Sequence, residues 1–243
     1  MLTTPDFHTL HAAIYQRKSI RDYSPDEISE DLITQIQDFI KKIPALKKDK
    51  VDFHVAMSEF KIIHNLVNPF GAFISVAPYF FVVSAKKEGP YMIEAGFQSE
   101  HLILFLTSLG LATCYIGGFL DFKNLSRELG LKDSKEVLIL SPVGHPDKSL
   151  AGFFTGFMVN TSKMLYGTTK RKSLDEILIN PPESGDKEGL LAFWQPVLEA
   201  VQAAPSWCNL QPWRFFIQDK EMYLFVEHRS EERRVGKECR SRW

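Results

Sequence analysis

The stretch Arg17–Tyr23 combines residue types that can bind a phosphate group. It reads Arg-Lys-Ser-Ile-Arg-Asp-Tyr and follows a segment with helical periodicity. Guanidinium, ammonium and hydroxyl groups donate hydrogen bonds, partly charge-assisted and bidentate, that suit phosphate oxygens. A solvated cationic turn at the C-terminal end of a helix has the same composition, because positive charge there stabilises the helix dipole without a ligand. From these residues alone both interpretations stay open, and the turn is favoured.

A second stretch, Ala203–Trp213, carries a hydroxyl, two amides, two indoles and two prolines. It reads Ala-Ala-Pro-Ser-Trp-Cys-Asn-Leu-Gln-Pro-Trp. Because the prolines restrict the backbone, this short loop can present N–H groups and the Asn209 amide to a planar heteroaromatic ligand. A rigid connection from a helix to a strand, with Trp213 in the core, explains the same residues equally well.

A third stretch, Leu109–Phe119, contains the neighbouring glycines Gly117 and Gly118 after a long apolar segment. Paired glycines permit close approach of the backbone to a flat ligand, and they also form ordinary turns. The pattern is not that of a dinucleotide-binding motif, since GxGxxG is absent and the preceding segment is helical.

Helical and strand patterns alternate around these stretches. Ser29 is the predicted N-cap of a second helix that Pro44 stops, and Gly110 marks the end of a long apolar helix. Helices are predicted through Phe7–Ile14, Leu32–Lys42, Ile93–Leu109 and Leu190–Ala204. Strands are predicted at Val51–Met57, Pro78–Val83, Val137–Leu140, Trp213–Gln218 and Met222–Val226.

The chain also contains a weak internal repeat. Arg17-Lys18-Ser19-Ile20 returns as Arg171-Lys172-Ser173-Leu174, and a helix, a proline and an aromatic strand follow each copy. This order predicts a first half at residues 1–160 and a related second half at 161–228. Residues 229–243 resemble a translated sequencing adapter, so we expect them to be non-native and expect the natural chain to continue differently after about His228.

Composition excludes several classes of function. The cysteines Cys114, Cys208 and Cys239 are far apart and form no CxxC pair, so neither a disulfide framework nor a metal site is expected. No apolar run is long enough to span a bilayer, and the N-terminus lacks the apolar block of a signal peptide. A net charge of −1 indicates no nucleic-acid partner. We therefore expect a cytoplasmic protein without membrane or nucleic-acid partners.

Together the three stretches resemble motifs of the FMN-dependent nitroreductase superfamily. Its members carry Arg-x-Ser-x-Arg/Lys after the first helix, Ala-Pro-Ser-x-x-Asn-x-Gln-Pro-Trp after the second, and a Leu-Gly-Leu helix end before a glycine loop. The resemblance covers Phe7–Val226. In ordinary members the Pro-Ser motif soon follows the Arg-x-Ser motif, whereas here Pro44–Asp49 occupies that position without it. This order is similar to the single-chain, two-half nitroreductases noted in thermophilic bacteria.

The resemblance implies an α+β fold with three-layer α/β/α halves, whose sheets are mixed but mostly antiparallel. The halves would be fused as a monomeric pseudo-dimer, with the second half truncated. It implies one FMN, bound by residues from both halves. The implied binding residues are Arg17, Lys18, Ser19, Arg21, Gly117, Gly118, Pro205, Ser206, Trp207, Asn209 and Gln211.

Roles follow from the same resemblance. Arg17 and Ser19 would bind the phosphate, Arg21 the phosphate or the ring edge, and Pro205–Asn209 would flank the ring and the ribityl chain. Arg171 and Ser173 would face the altered Pro44 loop. Asp175 replaces the arginine after the second serine, so no second flavin is expected there.

The implied activity is electron transfer from NADH or NADPH through flavin to a small-molecule acceptor such as a nitroaromatic or a quinone. No general acid or base and no metal ligand is assigned, since the flavin supplies the chemistry. Two alternatives stay open: a flavin-binding protein without significant turnover, and a degenerate homologue that serves as a scaffold and binds nothing.

Overall fold

The computed structural model describes residues 6–46, 52–57, 77–86, 88–116, 122–131, 134–147, 170–179, 187–218 and 221–227. These fall into two compact units, one within residues 1–159 and one within residues 160–240. Gly117, Gly118 and the adapter-like residues 229–243 lie outside the described residues.

The first unit contains four described helices and four strands. The helices are α1 (Phe7–Gln16), α2 (Glu30–Ile40), α3 (Gly89–Ser108) and α4 (Phe122–Glu128). The strands are β1 (Asp52–Met57), β2 (Tyr79–Ala85), β3 (Ala112–Thr113) and β4 (Glu136–Gly144).

Local capping residues set the ends of these helices. Asp6 accepts a hydrogen bond from the Thr9 amide at the start of α1. The predicted N-cap Ser29 is confirmed, because its hydroxyl accepts from the Leu32 amide. At the end of α3, Gly110 adopts a left-handed φ of 75°, which confirms the predicted stop.

The four strands form one sheet in the order β1-β2-β4-β3, and every pair of named strands is antiparallel. Strand β2 is buried along its whole length and alternates between two cores. Phe81 and Val83 pack with α2 and α3 on one face, and Phe80 and Val82 pack with α4 on the other. The first unit therefore has the expected three layers.

Strand β4 is longer than predicted. The sequence predicted a strand at Val137–Leu140 with Pro142 beyond it, but the strand continues to Gly144 and Pro142 pairs with Phe80. Leu140 O accepts from the Ile116 amide, so by strand alternation the nitrogen of Pro142 faces the same side. The missing N–H of Pro142 therefore faces away from β2, and the ladder between β2 and β4 loses no hydrogen bond.

The second unit contains helices α5 (Leu174–Ile177) and α6 (Lys187–Ala203) and strands β5 (Trp213–Gln218) and β6 (Glu221–Val226). The two strands form an antiparallel hairpin. A small core joins these elements and consists of Ile177, Leu198, Phe215 and Ile217. The predicted bounds of β5 are confirmed, and α6 begins three residues before its predicted start at Leu190. Both units combine helices with antiparallel sheets, as the α+β prediction required.

Candidate functional site

The first and third stretches lie side by side in the first unit. Ser19 forms a parallel bridge with Thr113 in β3, and the Ile20 amide donates to Thr113 O at 3.0 Å. Further along, the Ser24 amide donates to His145 O at 2.8 Å. Backbone hydrogen bonds at both ends therefore hold the Arg17–Tyr23 segment along the sheet.

Arg17 forms an ion pair that the sequence did not predict. Its side chain is only 7% exposed, and its Nε lies 3.7 Å from Oε1 of Glu100 in α3. The Tyr115 hydroxyl donates to Oε2 of the same carboxylate at 2.9 Å. The hydroxyl of Ser99 lies 3.1 Å from that of Tyr115. A chain of polar contacts thus connects the Arg17–Tyr23 segment to Tyr115, which lies shortly before Gly117 and Gly118 in the sequence.

Burial sets the electrostatics of this cluster. It raises the pKa of Glu100, while the positive charge of Arg17 and the hydrogen bond from Tyr115 act in the opposite direction. Burial also raises the pKa of Tyr115 well above its usual value, and the neighbouring Glu100 adds to that effect. A signal for Glu100 does exist in the sequence, because a carboxylate within an apolar helix needs a partner. The periodicity of α3 does not reveal which partner that is.

The other residues of the first segment differ in exposure. The Lys18 side chain is exposed, whereas Ser19 and Arg21 are partly buried. Asp22 is buried, and this burial raises its pKa. The negative charge of the nearby Asp147 raises it further. The predicted cofactor residues Arg17, Lys18, Ser19 and Arg21 thus lie on one segment that is hydrogen-bonded to the sheet.

In the second unit the other Arg-Lys-Ser segment lies against the Pro205–Gln211 loop. One guanidinium nitrogen of Arg171 donates to Ala204 O at 2.7 Å and to Oδ1 of Asn209 at 3.0 Å. The other nitrogen donates to Ala203 O at 3.0 Å. The Nδ2 group of Asn209 donates to Lys170 O at 3.1 Å. The described hydrogen-bond acceptors of Arg171 are therefore Ala203, Ala204 and Asn209, and Asn209 is itself a predicted ring-binding residue.

The loop itself is tightly built. Residues 207–209 form a single 3-10 turn in which the Asn209 amide donates to Ser206 O at 3.1 Å. The Ser206 hydroxyl accepts from the Gln211 amide at 2.9 Å. Asn209 and Gln211 adopt left-handed φ angles of 55° and 48°. Pro205, Ser206 and Trp207 are half-buried, so this loop presents a rigid edge with part of an indole at its surface.

The Gln211 side chain is 2% exposed and binds the backbone around it. Its Oε1 accepts from the Lys172 amide at 2.8 Å, and its Nε2 donates to Lys170 O and Asn209 O at 3.2 and 3.1 Å. In this unit Gln211 therefore connects the Arg-Lys-Ser segment to the loop.

Ser173 has a local structural role. It begins α5 in a capping box with Glu176, whose carboxylate accepts from both the Ser173 amide and its hydroxyl. Asp175 lies in the first turn of the same helix, where a negative charge is favourable. The second Arg-Lys-Ser sequence thus leads into a helix, whereas the first leads into an extended segment beside β3.

Two negative findings apply to the described residues. No group of three or more His, Cys, Asp or Glu side chains within those ranges is arranged to hold a metal ion. None of the helices described here has the length and apolar character needed to cross a membrane.

Solved structures share this fold. The crystal structure of a "putative nitroreductase" from Thermotoga maritima MSB8 matches with a TM-score of 0.59 and 21% identity, covering 93% of this chain and 80% of that chain. A nitroreductase family protein from Clostridium novyi NT matches with a TM-score of 0.50 and 27% identity, covering 57% of this chain and 86% of that one. A nitroreductase with bound FMN from Desulfitobacterium hafniense DCB-2 matches with a TM-score of 0.50 and 18% identity, covering 61% and 92%.

No curated protein matches the chain. The family model described as "Putative TM nitroreductase" matches residues 9–235, which is nearly the whole sequence. The chain therefore belongs to this nitroreductase family.

Proposed function

We propose that the protein is an FMN-dependent oxidoreductase that moves electrons from NADH or NADPH to a small organic acceptor, such as a nitroaromatic or a quinone. One observation carries the proposal. The Arg17–Tyr23 segment, with its cationic and hydroxyl side chains, is held beside β3 by backbone hydrogen bonds. The chain that carries this segment belongs to a nitroreductase family. The bound FMN in the Desulfitobacterium hafniense relative supports the choice of cofactor.

The residues of the first unit fit a phosphate group. Arg17 and Ser19 are two positions apart on a segment whose backbone is hydrogen-bonded to the sheet, so that backbone would not have to reorganise when an anion binds. Glu100 beside Arg17 reduces the net positive charge of this region. Burial raises the pKa of Glu100, so this carboxyl takes up a proton more readily than an exposed glutamate does. Once protonated, it no longer repels a bound phosphate.

We assign the flavin ring and the ribityl chain to the Pro205–Asn209 loop. Pro205, Ser206, Trp207 and Asn209 belong to a loop whose backbone is held by side-chain and backbone bonds, which is the preorganisation that a flat ligand requires. Gly117 and Gly118 complete the proposed set on sequence grounds. A single chain with both kinds of segment would need no second subunit, so we propose a monomer.

When bound, FMN would accept a hydride from the nicotinamide and pass electrons to the acceptor. The residues of this chain would bind and orient it. Arg17, Ser19 and Arg21 would hold the phosphate, and the Pro205–Asn209 loop would limit access of water to the ring. We assign no side chain as general acid or base.

The test is a flavin-binding and turnover experiment on the full chain. Purified protein is incubated with FMN, desalted and examined by absorbance between about 300 and 550 nm, and then mixed anaerobically with NADH or NADPH. We expect about one FMN per chain and bleaching of the flavin band by a nicotinamide.

The Arg17→Ala variant should bind FMN at least about tenfold more weakly, as expected for loss of a charged hydrogen-bond partner. The exposed Arg127→Ala variant is the matched control and should bind FMN normally. A yellow protein that no nicotinamide bleaches would indicate a flavin-binding protein without turnover. A protein that stays colourless would leave only the scaffold alternative.

A further inference from the structure

We infer that Arg171 is a positioning residue for the Pro205–Asn209 loop, so that the two Arg-Lys-Ser sequences of this chain have different roles. The inference rests on the proposed function, because it concerns the loop assigned to the flavin ring. In this scheme Arg17 acts on the phosphate. Arg171 acts on the shape of the loop and touches no part of the cofactor.

The first step in the argument is the set of acceptors around Arg171. Ala203 is the last residue of α6 and Ala204 follows it, so their carbonyl oxygens lie at the negative end of the helix dipole. The guanidinium of Arg171 donates to both oxygens, at 3.0 and 2.7 Å. A planar guanidinium can serve several acceptors at once in a fixed geometry, which a lysine ammonium cannot reproduce.

The second step is the link to the far end of the loop. The nitrogen that donates to Ala204 O also donates to Oδ1 of Asn209 at 3.0 Å. Asn209 has a φ of 55°, a conformation that asparagine tolerates better than most residues. One side chain thus connects the residue just before Pro205 to the residue that closes the 3-10 turn. The proposed ring-binding residues lie between these two anchors.

The third step is the contrast with Arg17. The described partner of Arg17 is one carboxylate at 3.7 Å, beyond hydrogen-bond distance. The hydrogen bonds described for Arg171 instead go to three neutral oxygens, each within hydrogen-bond distance. The residue two positions after the serine is Arg21 in the first copy and Asp175 in the second, so only the first copy adds positive charge for a phosphate.

This difference predicts how the two arginines affect two related ligands. FMN and riboflavin share the ring and the ribityl chain and differ only in the phosphate. Arg171→Ala should weaken FMN and riboflavin binding by the same factor, about tenfold or more. Arg17→Ala should weaken FMN binding by a similar factor and leave riboflavin binding unchanged. Lys170→Ala is the matched control, since it removes an exposed positive charge from the neighbouring position and should change neither affinity.

The experiment titrates wild type and variants with FMN and with riboflavin, followed by flavin fluorescence. The absorption maxima of bound flavin should also shift in Arg171→Ala, because the altered loop changes the surroundings of the ring. Arg171→Lys should recover only part of the affinity. If Arg171→Ala does not fold, Arg171→Lys serves for the same comparison.

Selective loss of FMN binding in Arg171→Ala would overturn the inference, since it would make Arg171 a phosphate ligand. Unchanged affinities for both flavins would overturn it as well. If wild type binds neither flavin, the proposed function fails, but amide hydrogen exchange still tests whether Arg171 holds the loop in its conformation. The amides of Asn209 and Gln211, which donate to Ser206, should exchange at least about tenfold faster in Arg171→Ala than in Lys170→Ala. Equal exchange rates would show that Arg171 does not hold the loop.

Discussion

The guanidinium of Arg17 and the carboxylate of Glu100 form an ion pair in the first unit, with Nε and Oε1 3.7 Å apart. The arginine side chain is 7% exposed and the glutamate side chain 30% exposed. Removing either partner would therefore leave the other side chain partly buried without the opposite charge that this pair supplies. The consequences differ for stability and for its dependence on pH.

Glu100→Gln should change how stability varies with pH. Because burial raises the pKa of Glu100, the folded chain holds this proton to a higher pH than the unfolded chain does. The contribution of Glu100 to the free energy of unfolding is therefore largest below the ordinary glutamate pKa, near 4.5, and is lost as the pH rises through the raised value. We expect the free energy of unfolding of Glu100→Gln, relative to wild type, to increase with pH across that window. Urea denaturation at a series of pH values measures this difference, and a constant or decreasing difference would contradict it.

Tyr115→Phe should destabilise the first unit by about 1 to 3 kcal/mol, because the Glu100 carboxylate and the Ser99 hydroxyl both lose a polar partner. Loss of the hydrogen bond should also raise the pKa of Glu100 further, since that bond lowers it. Urea denaturation at neutral pH measures the destabilisation. Tyr15→Phe is the control, because Tyr15 is half exposed and its hydroxyl should contribute within about 0.5 kcal/mol. Equal stability of the two variants would show that the cluster contributes nothing.

Gly144→Ala should destabilise the protein by about 1 to 3 kcal/mol through overpacking. A Cβ at this position would lie 2.8 Å from Cδ of Pro78 and 3.2 Å from Cδ1 of Tyr23, and a proline ring has little freedom to move away. Gly96→Ala in α3 is the control, since nothing lies within 4 Å of its Cβ position. There alanine should stabilise the helix by about 0.5 to 1 kcal/mol. Thermal or urea unfolding should give opposite signs, and the same sign for both would refute this packing argument.

Gly110→Ala should cost about 1 to 2 kcal/mol, for a reason unrelated to packing. Apart from its neighbours in the chain, no atom of the described residues lies within 4 Å of the Cβ position, but the φ of 75° places any side chain in the left-handed region. Substitution by Asn, which tolerates this conformation better, should recover part of the loss. The comparison of the Ala and Asn variants by urea denaturation separates backbone strain from other effects. If both variants are equally destabilised, strain is not the cause.

The sequence predicted those features that depend on residues close together in the chain. The Ser29 cap needs only the Leu32 amide, and the end of α3 needs only a glycine that can take a positive φ. The bounds of β5 follow from alternation within six residues. The family motifs also allowed the fold class to be predicted from the sequence. In β4 local reasoning was wrong, because the effect of Pro142 depends on which neighbouring strand its nitrogen faces, and those strands come from other parts of the chain.

By itself, therefore, the sequence determined that this is a nitroreductase-type α+β chain with two Arg-Lys-Ser segments and one intact Pro-Ser loop. Only the tertiary structure decided what those segments contact. It paired Arg17 with Glu100 and turned Arg171 toward Ala203, Ala204 and Asn209. Two almost identical tetrapeptides acquire different partners because a buried charge must be matched by groups that lie far away in sequence. Packing selects those partners, and local propensity does not.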